Sequence, residues 1–147
     1  MRLQSAIFML EDTLLRGDGT ARDGLDKVLS IFKMESVWMY AVTGRTHAEG
    51  EQALKGAGLD GYFRGVLSPD VARCDADSGT MFERAMKRLH SEKVDTVVFA
   101  GRLAAIENAN KAGFRTVAVH GAAGDAEWAQ MCAAATETLV RYEDYLA

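Results

Sequence analysis

Glu11 and Asp12 stand side by side directly after the apolar run 6–10, an acidic pair of the kind that moves a proton or shares a cation. Thr43, Gly44 and Arg45 follow the apolar run 37–42, and Arg102 follows the run 94–100. A hydroxyl and two guanidiniums placed where helices begin are suited to receive a phosphate or carboxylate, because the first helical N–H groups lack internal partners. Thr43, Gly44, Arg45 and Arg102 are therefore candidates for binding a small anion without a metal. The plainer reading of Thr43 is the turn residue ahead of a helix, and of the arginines ordinary solvated charges. Of His47, His90 and His120, only His120 ends an apolar run in the same way.

These groups need a scaffold that brings run ends together. Short apolar runs recur at 6–10, 37–42, 62–67, 94–100, 116–120 and, weakly, 138–141. Several are apolar at consecutive positions, as in strands covered on both faces of a parallel sheet. Helical periods alternate with them. Residues 23–34 place Leu25, Val28, Leu29 and Phe32 on one face; further helices are expected near 46–57, 81–89, 102–112 and 125–134, with a last turn at 142–146. Thr46 with Glu49, and Thr80 with Glu83, read as capping boxes, while Gly58 and Gly113 stand where helices end left-handed. Residues 68–77, with the single proline Pro69, read as a loop. Trp38, Tyr40 and Phe99 read as core and sheet residues, and Trp128 as the anchor of its helix.

Alternating strands and helices joined by right-handed crossovers give one α/β domain over residues 1–147, a three-layer α/β/α sandwich on a Rossmann-like parallel sheet of about five or six strands. Ligands of such sheets bind beyond the carboxyl ends of the strands, where the groups above fall.

Composition narrows the partners. A formal net charge of −4 with both signs interspersed provides no basic stripe for a phosphate backbone, so nucleic acid is not expected. No segment approaches the ~20 apolar residues needed to cross a bilayer. The start of the chain, with Arg2 and an apolar run that meets Glu11 and Asp12, is too brief and too acidic for a signal peptide. Cys74 and Cys132 have no C-x-x-C spacing, which fits neither a disulfide framework nor zinc, and suggests a reduced, cytoplasmic protein.

The run Ala6-Ile7-Phe8-Met9-Leu10-Glu11-Asp12-Thr13-Leu14 resembles the first motif of the haloacid dehalogenase superfamily, a strand followed by D-x-D-G-T-L, and Val42-Thr43-Gly44 resembles the second. The segment from Val97 to Gly113, V-V-F-A-G-R-L-A-A-I-E-N-A-N-K-A-G, is similar nearly position for position to the fourth, V-F-E-D-S-x-x-G-I-x-A-A-x-x-A-G. The likeness is to the phosphoglycolate-phosphatase-like branch, without a cap domain, and runs from about Ala6 to the end.

Members of that family use an aspartate nucleophile and Mg2+, and the departures fall on those positions. The nucleophile's place is taken by Met9, the second aspartate's by Glu11, the motif's glycine by Asp12, the lysine of the third motif by a residue near Ala76, and the metal-binding acidic pair by Ala100 and Gly101. A thioether forms no phosphoaspartyl intermediate and is a poor magnesium ligand. Loss of the nucleophile alone costs on the order of 10^4 or more in rate. The resemblance with these departures implies a catalytically degenerate protein with a binding, regulatory or scaffolding role, no cofactor, and a protein partner, a second copy or a small anion as ligand. The alternative is a weak or atypical phosphatase acting on a phosphomonoester through Glu11, Asp12 and Thr43, with Mg2+ as its cofactor.

Overall fold

The computed structural model describes residues 4–146, so Arg2 lies outside the described residues. Strands β1 (Ser5–Met9), β2 (Trp38–Val42), β3 (Val66–Leu67), β4 (Thr96–Ala100), β5 (Arg115–Val119) and β6 (Glu137–Leu139) form one sheet in the order β3-β2-β1-β4-β5-β6, every neighbouring pair parallel. Helices α1 (Leu25–Met34) and α2 (His47–Gly56) pack on one face. Helices α3 (Pro69–Ala72), α4 (Gly79–Arg88), α5 (Leu103–Lys111) and α6 (Asp125–Ala134) pack on the other. A closing 3-10 turn at Tyr142–Leu146 lies against α1. The three-layer α/β arrangement expected from periodicity is the one adopted, with six strands.

Alternation within a strand makes both cores. In β1, Ala6 and Phe8 enter the core beneath α1, and Ile7 enters the core beneath α4 and α5. Phe8 stacks on Phe99 of β4 at 4.3 Å between ring centres and meets Phe63 edge-on at 5.8 Å. Leu25, Val28, Leu29 and Phe32 are all buried, as the helical period requires. Each such side chain contributes about 1.5–3 kcal/mol by leaving water, so this face holds α1 against the sheet.

The ends of α2 behave as read. Thr46 Oγ1 accepts from the Glu49 N–H at 3.2 Å, and Glu49 Oε1 accepts from the Thr46 N–H at 3.1 Å. Gly58 and Gly113 both take positive φ. The other capping box does not form: α4 starts earlier, with Ser78 Oγ accepting from the Met81 N–H at 3.1 Å. Ser78 wins because its hydroxyl also donates to the Asp75 carbonyl, which fixes the turn before the helix.

Three other expectations are corrected. The run 62–67 yields only the two-residue β3, because Tyr62 ends a 3-10 turn and its hydroxyl lies 3.0 Å from Ser30 Oγ of α1. The loop at 68–77 contains α3, with Pro69 at the first helical position, where its missing N–H costs nothing. Trp38 is 50% exposed and lies under the Arg64 guanidinium, 4.3 Å from the ring centre, whereas Tyr40 and Phe99 are core as read. Between β1 and β2 stand a turn, a short hairpin bridged at Leu15 and Ala21, and α1, and between β2 and β3 stand α2 and a 3-10 turn; neither connection carries a cap domain.

Candidate functional site

The sheet order reverses at β1, whose neighbours are β2 and β4, so the carboxyl ends of these three strands form the crevice that such folds use. β1 ends at Met9. The chain then turns sharply, with Glu11 extended and Asp12 left-handed at φ 60°, a conformation aspartate tolerates better than most residues. The turn is anchored by buried Leu10, Thr13 and Leu14. The buried Tyr142 hydroxyl donates to the Thr13 carbonyl at 2.9 Å. Burial pushes the Tyr142 phenol well up, opposed by nearby Arg22.

Gly101, at the end of β4, passes directly beneath this turn. A Cβ built on it would stand 2.0 Å from the Asp12 carbonyl oxygen, inside any van der Waals contact. In this backbone the position holds hydrogen and nothing larger, although the sequence likeness places a metal-binding carboxylate there.

Glu11 reaches across to the end of β2. Its Oε2 accepts from the Thr43 hydroxyl at 2.7 Å and its Oε1 from the Gly44 N–H at 2.7 Å, with Arg45 Nε 3.6 Å from Oε2. The structure thus brings Thr43, Gly44 and Arg45 together, and it brings them together around a carboxylate of the same chain. The neighbouring N–H groups are also taken. The Arg45 N–H donates to Thr43 Oγ1 at 3.1 Å, the Thr46 N–H to Glu49, and the His47 N–H to Asp70 Oδ1 at 3.2 Å. Both outer carboxylates are stabilised as anions: the Thr46 N–H and hydroxyl hold Glu49 below the usual range, and the Ser68 hydroxyl, with the His47 N–H, does so for Asp70.

Arg102 lies on the other side of the crevice. Its Nη1 is 3.7 Å from Asp12 Oδ2, and its Nε donates to Glu127 Oε2 at 3.1 Å. Glu127, from α6, also accepts from the Leu103 N–H at 2.9 Å and so caps α5 from a distant helix. Sequence reading missed Glu127, since 24 residues separate the partners.

Between these pairs lies an open cleft of about 330 Å3 with Met9, Ala76 and Gly101 on its walls. Glu11, Asp12, Asp75 and Asp77 line it as well, and among the described lining residues Arg102 is the only cation. Asp75 and Asp77 belong to the stretch 68–77, which the sequence reads as a loop at the strand ends without a period that would single out these two side chains. Magnesium requires several oxygen ligands in near-octahedral order. Met9, Ala100 and Gly101 supply none from their side chains, and the cation near Asp12 is a guanidinium, so the residues present do not fit that ion. Among the described residues no three His, Cys, Asp or Glu side chains converge on a metal position.

The remaining candidates lie elsewhere. His120 packs against Trp128 at 4.6 Å between ring centres, and its carbonyl accepts from Arg22. His47 pairs with Glu51 one helical turn along α2, at 3.3 Å. Cys74 and Cys132 are both free thiols.

No protein-family model matches the sequence, and no curated protein matches it. Solved structures do share its architecture. A haloacid dehalogenase-like hydrolase from Streptococcus pneumoniae superposes with a TM-score of 0.82 at 10% identity, over 98% of this chain and 97% of that one. A Clostridium difficile protein provisionally named a phosphatase gives 0.85 at 11% identity over the whole of both chains. A predicted phosphoglycolate phosphatase from Haemophilus somnus gives 0.76 at 16% identity over 86% of this chain, which spans 56% of that one. At these identities the likeness establishes the fold: the chain has the architecture of the haloacid dehalogenase-like hydrolases and phosphatases.

Proposed function

We propose that the chain, built on the haloacid dehalogenase-like fold, is a catalytically degenerate member of that superfamily with a binding, regulatory or scaffolding role. The observation that carries this reading is that the polar groups on both sides of the crevice are paired within the chain. A carboxylate, Glu11, occupies the donors of Thr43 and Gly44, and a guanidinium, Arg102, occupies the space beside Asp12. Met9 adds no nucleophile. An external phosphate would have to displace Glu11 while entering a cleft lined by four carboxylates, and electrostatic repulsion opposes it.

The ligand on this reading is a protein partner or a second copy of the chain. A small anion at Thr43, Gly44, Arg45 and Arg102 is the lesser case, because each of those groups has an internal partner. Neither nucleic acid nor a membrane is proposed; among the described residues no helix is long and apolar enough to cross one. A cytoplasmic setting is proposed on the two free thiols.

The rival reading, a weak phosphatase using Glu11, Asp12 and Thr43, draws on the hydrolases and phosphatases that share the fold. Hydrolysis of p-nitrophenyl phosphate, followed with and without Mg2+, separates the two. The proposal expects no metal-dependent turnover; turnover that Glu11→Ala abolishes would establish the rival.

A further inference from the structure

At the β3 edge of the sheet, a groove of about 460 Å3 runs between α3 and the last turns of α4 and shares no lining residue with the crevice. Its floor is apolar, made by Leu67, Ala72 and Val71, the last of these 46% exposed. Its wall is basic. Arg84, Lys87 and Arg88 stand at helical spacing along one stripe of α4, and His90 follows just beyond. Among the described residues none of those lining the groove is acidic, in a chain with 21 acidic and 17 basic residues.

Helix termination explains only part of this wall. Cations in a last turn are favoured by the helix dipole, which accounts for Lys87 and Arg88 but not for Arg84 one turn earlier. Arg84 Nη1 donates to the Ala72 carbonyl and so spans from α4 to α3, while Arg88 Nη1 lies 3.5 Å from the Tyr40 hydroxyl. Both guanidiniums are therefore already positioned. His90 has φ 53°, its N–H donating to Lys87 O at 3.1 Å and the Ser91 N–H to Met86 O at 3.3 Å. That is the helix-ending turn in which glycine is preferred. The chain instead carries an imidazole there, on the groove wall.

We propose that this groove docks an acidic segment of a partner protein, with carboxylates on Arg84, Lys87 and Arg88 and one aliphatic or aromatic side chain against the exposed Val71. Charge complementarity selects the acidic partner. The apolar floor selects a polypeptide over a nucleic acid, whose bases stack best on Phe, Tyr or Trp, and none of these lines the groove among the residues described. The proposal goes beyond the degenerate crevice and survives its failure, because the two surfaces are built from different residues.

A peptide-display library selected on the wild-type protein tests it. The enriched consensus is synthesised with a fluorophore, and its binding is measured by anisotropy at low and physiological salt. The targets are wild type, the Lys87→Glu/Arg88→Glu double variant and His90→Gly, each first checked for unchanged circular dichroism. The expected consensus is acidic with a hydrophobic residue, and its affinity falls about tenfold or more in the double variant and as salt rises. His90→Gly, which relieves a left-handed backbone and so does not act by unfolding, weakens binding by a smaller factor. The proposal is overturned by a library that enriches nothing, by a neutral or basic consensus, or by affinity that the groove variants leave unchanged. Single-stranded RNA binding lost in the same variants, or a dimer of this chain that they dissociate, would also overturn it.

Discussion

The Thr43 hydroxyl donates a 2.7 Å hydrogen bond to Glu11 Oε2, tying the end of β2 to the turn after β1. Thr43 is fully buried, so its donor has no water to turn to when the acceptor is lost. Glu11→Ala is expected to lower the unfolding free energy by roughly 1–3 kcal/mol, the cost of stranding that buried hydroxyl, whereas the exposed Gly44 N–H can turn to water. Urea denaturation measures it. An unchanged midpoint would mean that the carboxylate does not hold the crevice together.

Glu127 and Arg102 separate a cap from an ion pair. Glu127→Ala removes the acceptor of the Leu103 N–H and is expected to cost about 1 kcal/mol, as for the loss of a helix cap. Arg102→Ala removes only pairs that are half exposed and is expected to cost under about 1 kcal/mol. Thermal melts of both variants and of the double variant check the order; a larger loss from Arg102→Ala would reverse the assignment.

Local periodicity carried most of the frame. The face Leu25, Val28, Leu29 and Phe32 was legible because a helix buries every third or fourth residue, and the consecutive apolar run around Phe99 because its sheet is covered twice. The length of β3 was not legible: Tyr62 is as apolar as a strand residue, and its packing on α1 is a contact across 32 residues of sequence. Within the site, the identities at Met9, Ala100 and Gly101 spoke directly, since a missing oxygen is visible in sequence. Which carboxylate would meet which donor was not, because Glu11 with Thr43, and Arg102 with Glu127, are joined only by the fold.

Tyr142 gives the stability a pH dependence. Its phenol is pushed up in the folded state from an ordinary value of 10.0. The folded form therefore keeps its proton where the unfolded form loses it. The stabilisation is fully present below about pH 10 and declines as pH rises further, because ionisation then favours the unfolded chain. Tyr142→Phe is expected to be less stable at neutral pH by about 1 kcal/mol, having lost the bond to Thr13, and to decline less steeply above pH 10. Unfolding curves across the alkaline range check both; parallel declines would show that the buried phenol is not the group that titrates.

The degenerate crevice is tested most directly by isothermal titration of the wild-type protein with MgCl2. With thioether, methyl and hydrogen at Met9, Ala100 and Gly101, and Arg102 beside Asp12, the expected result is heats of dilution alone. Saturable, stoichiometric uptake of the ion that Asp12→Asn abolishes would contradict the account.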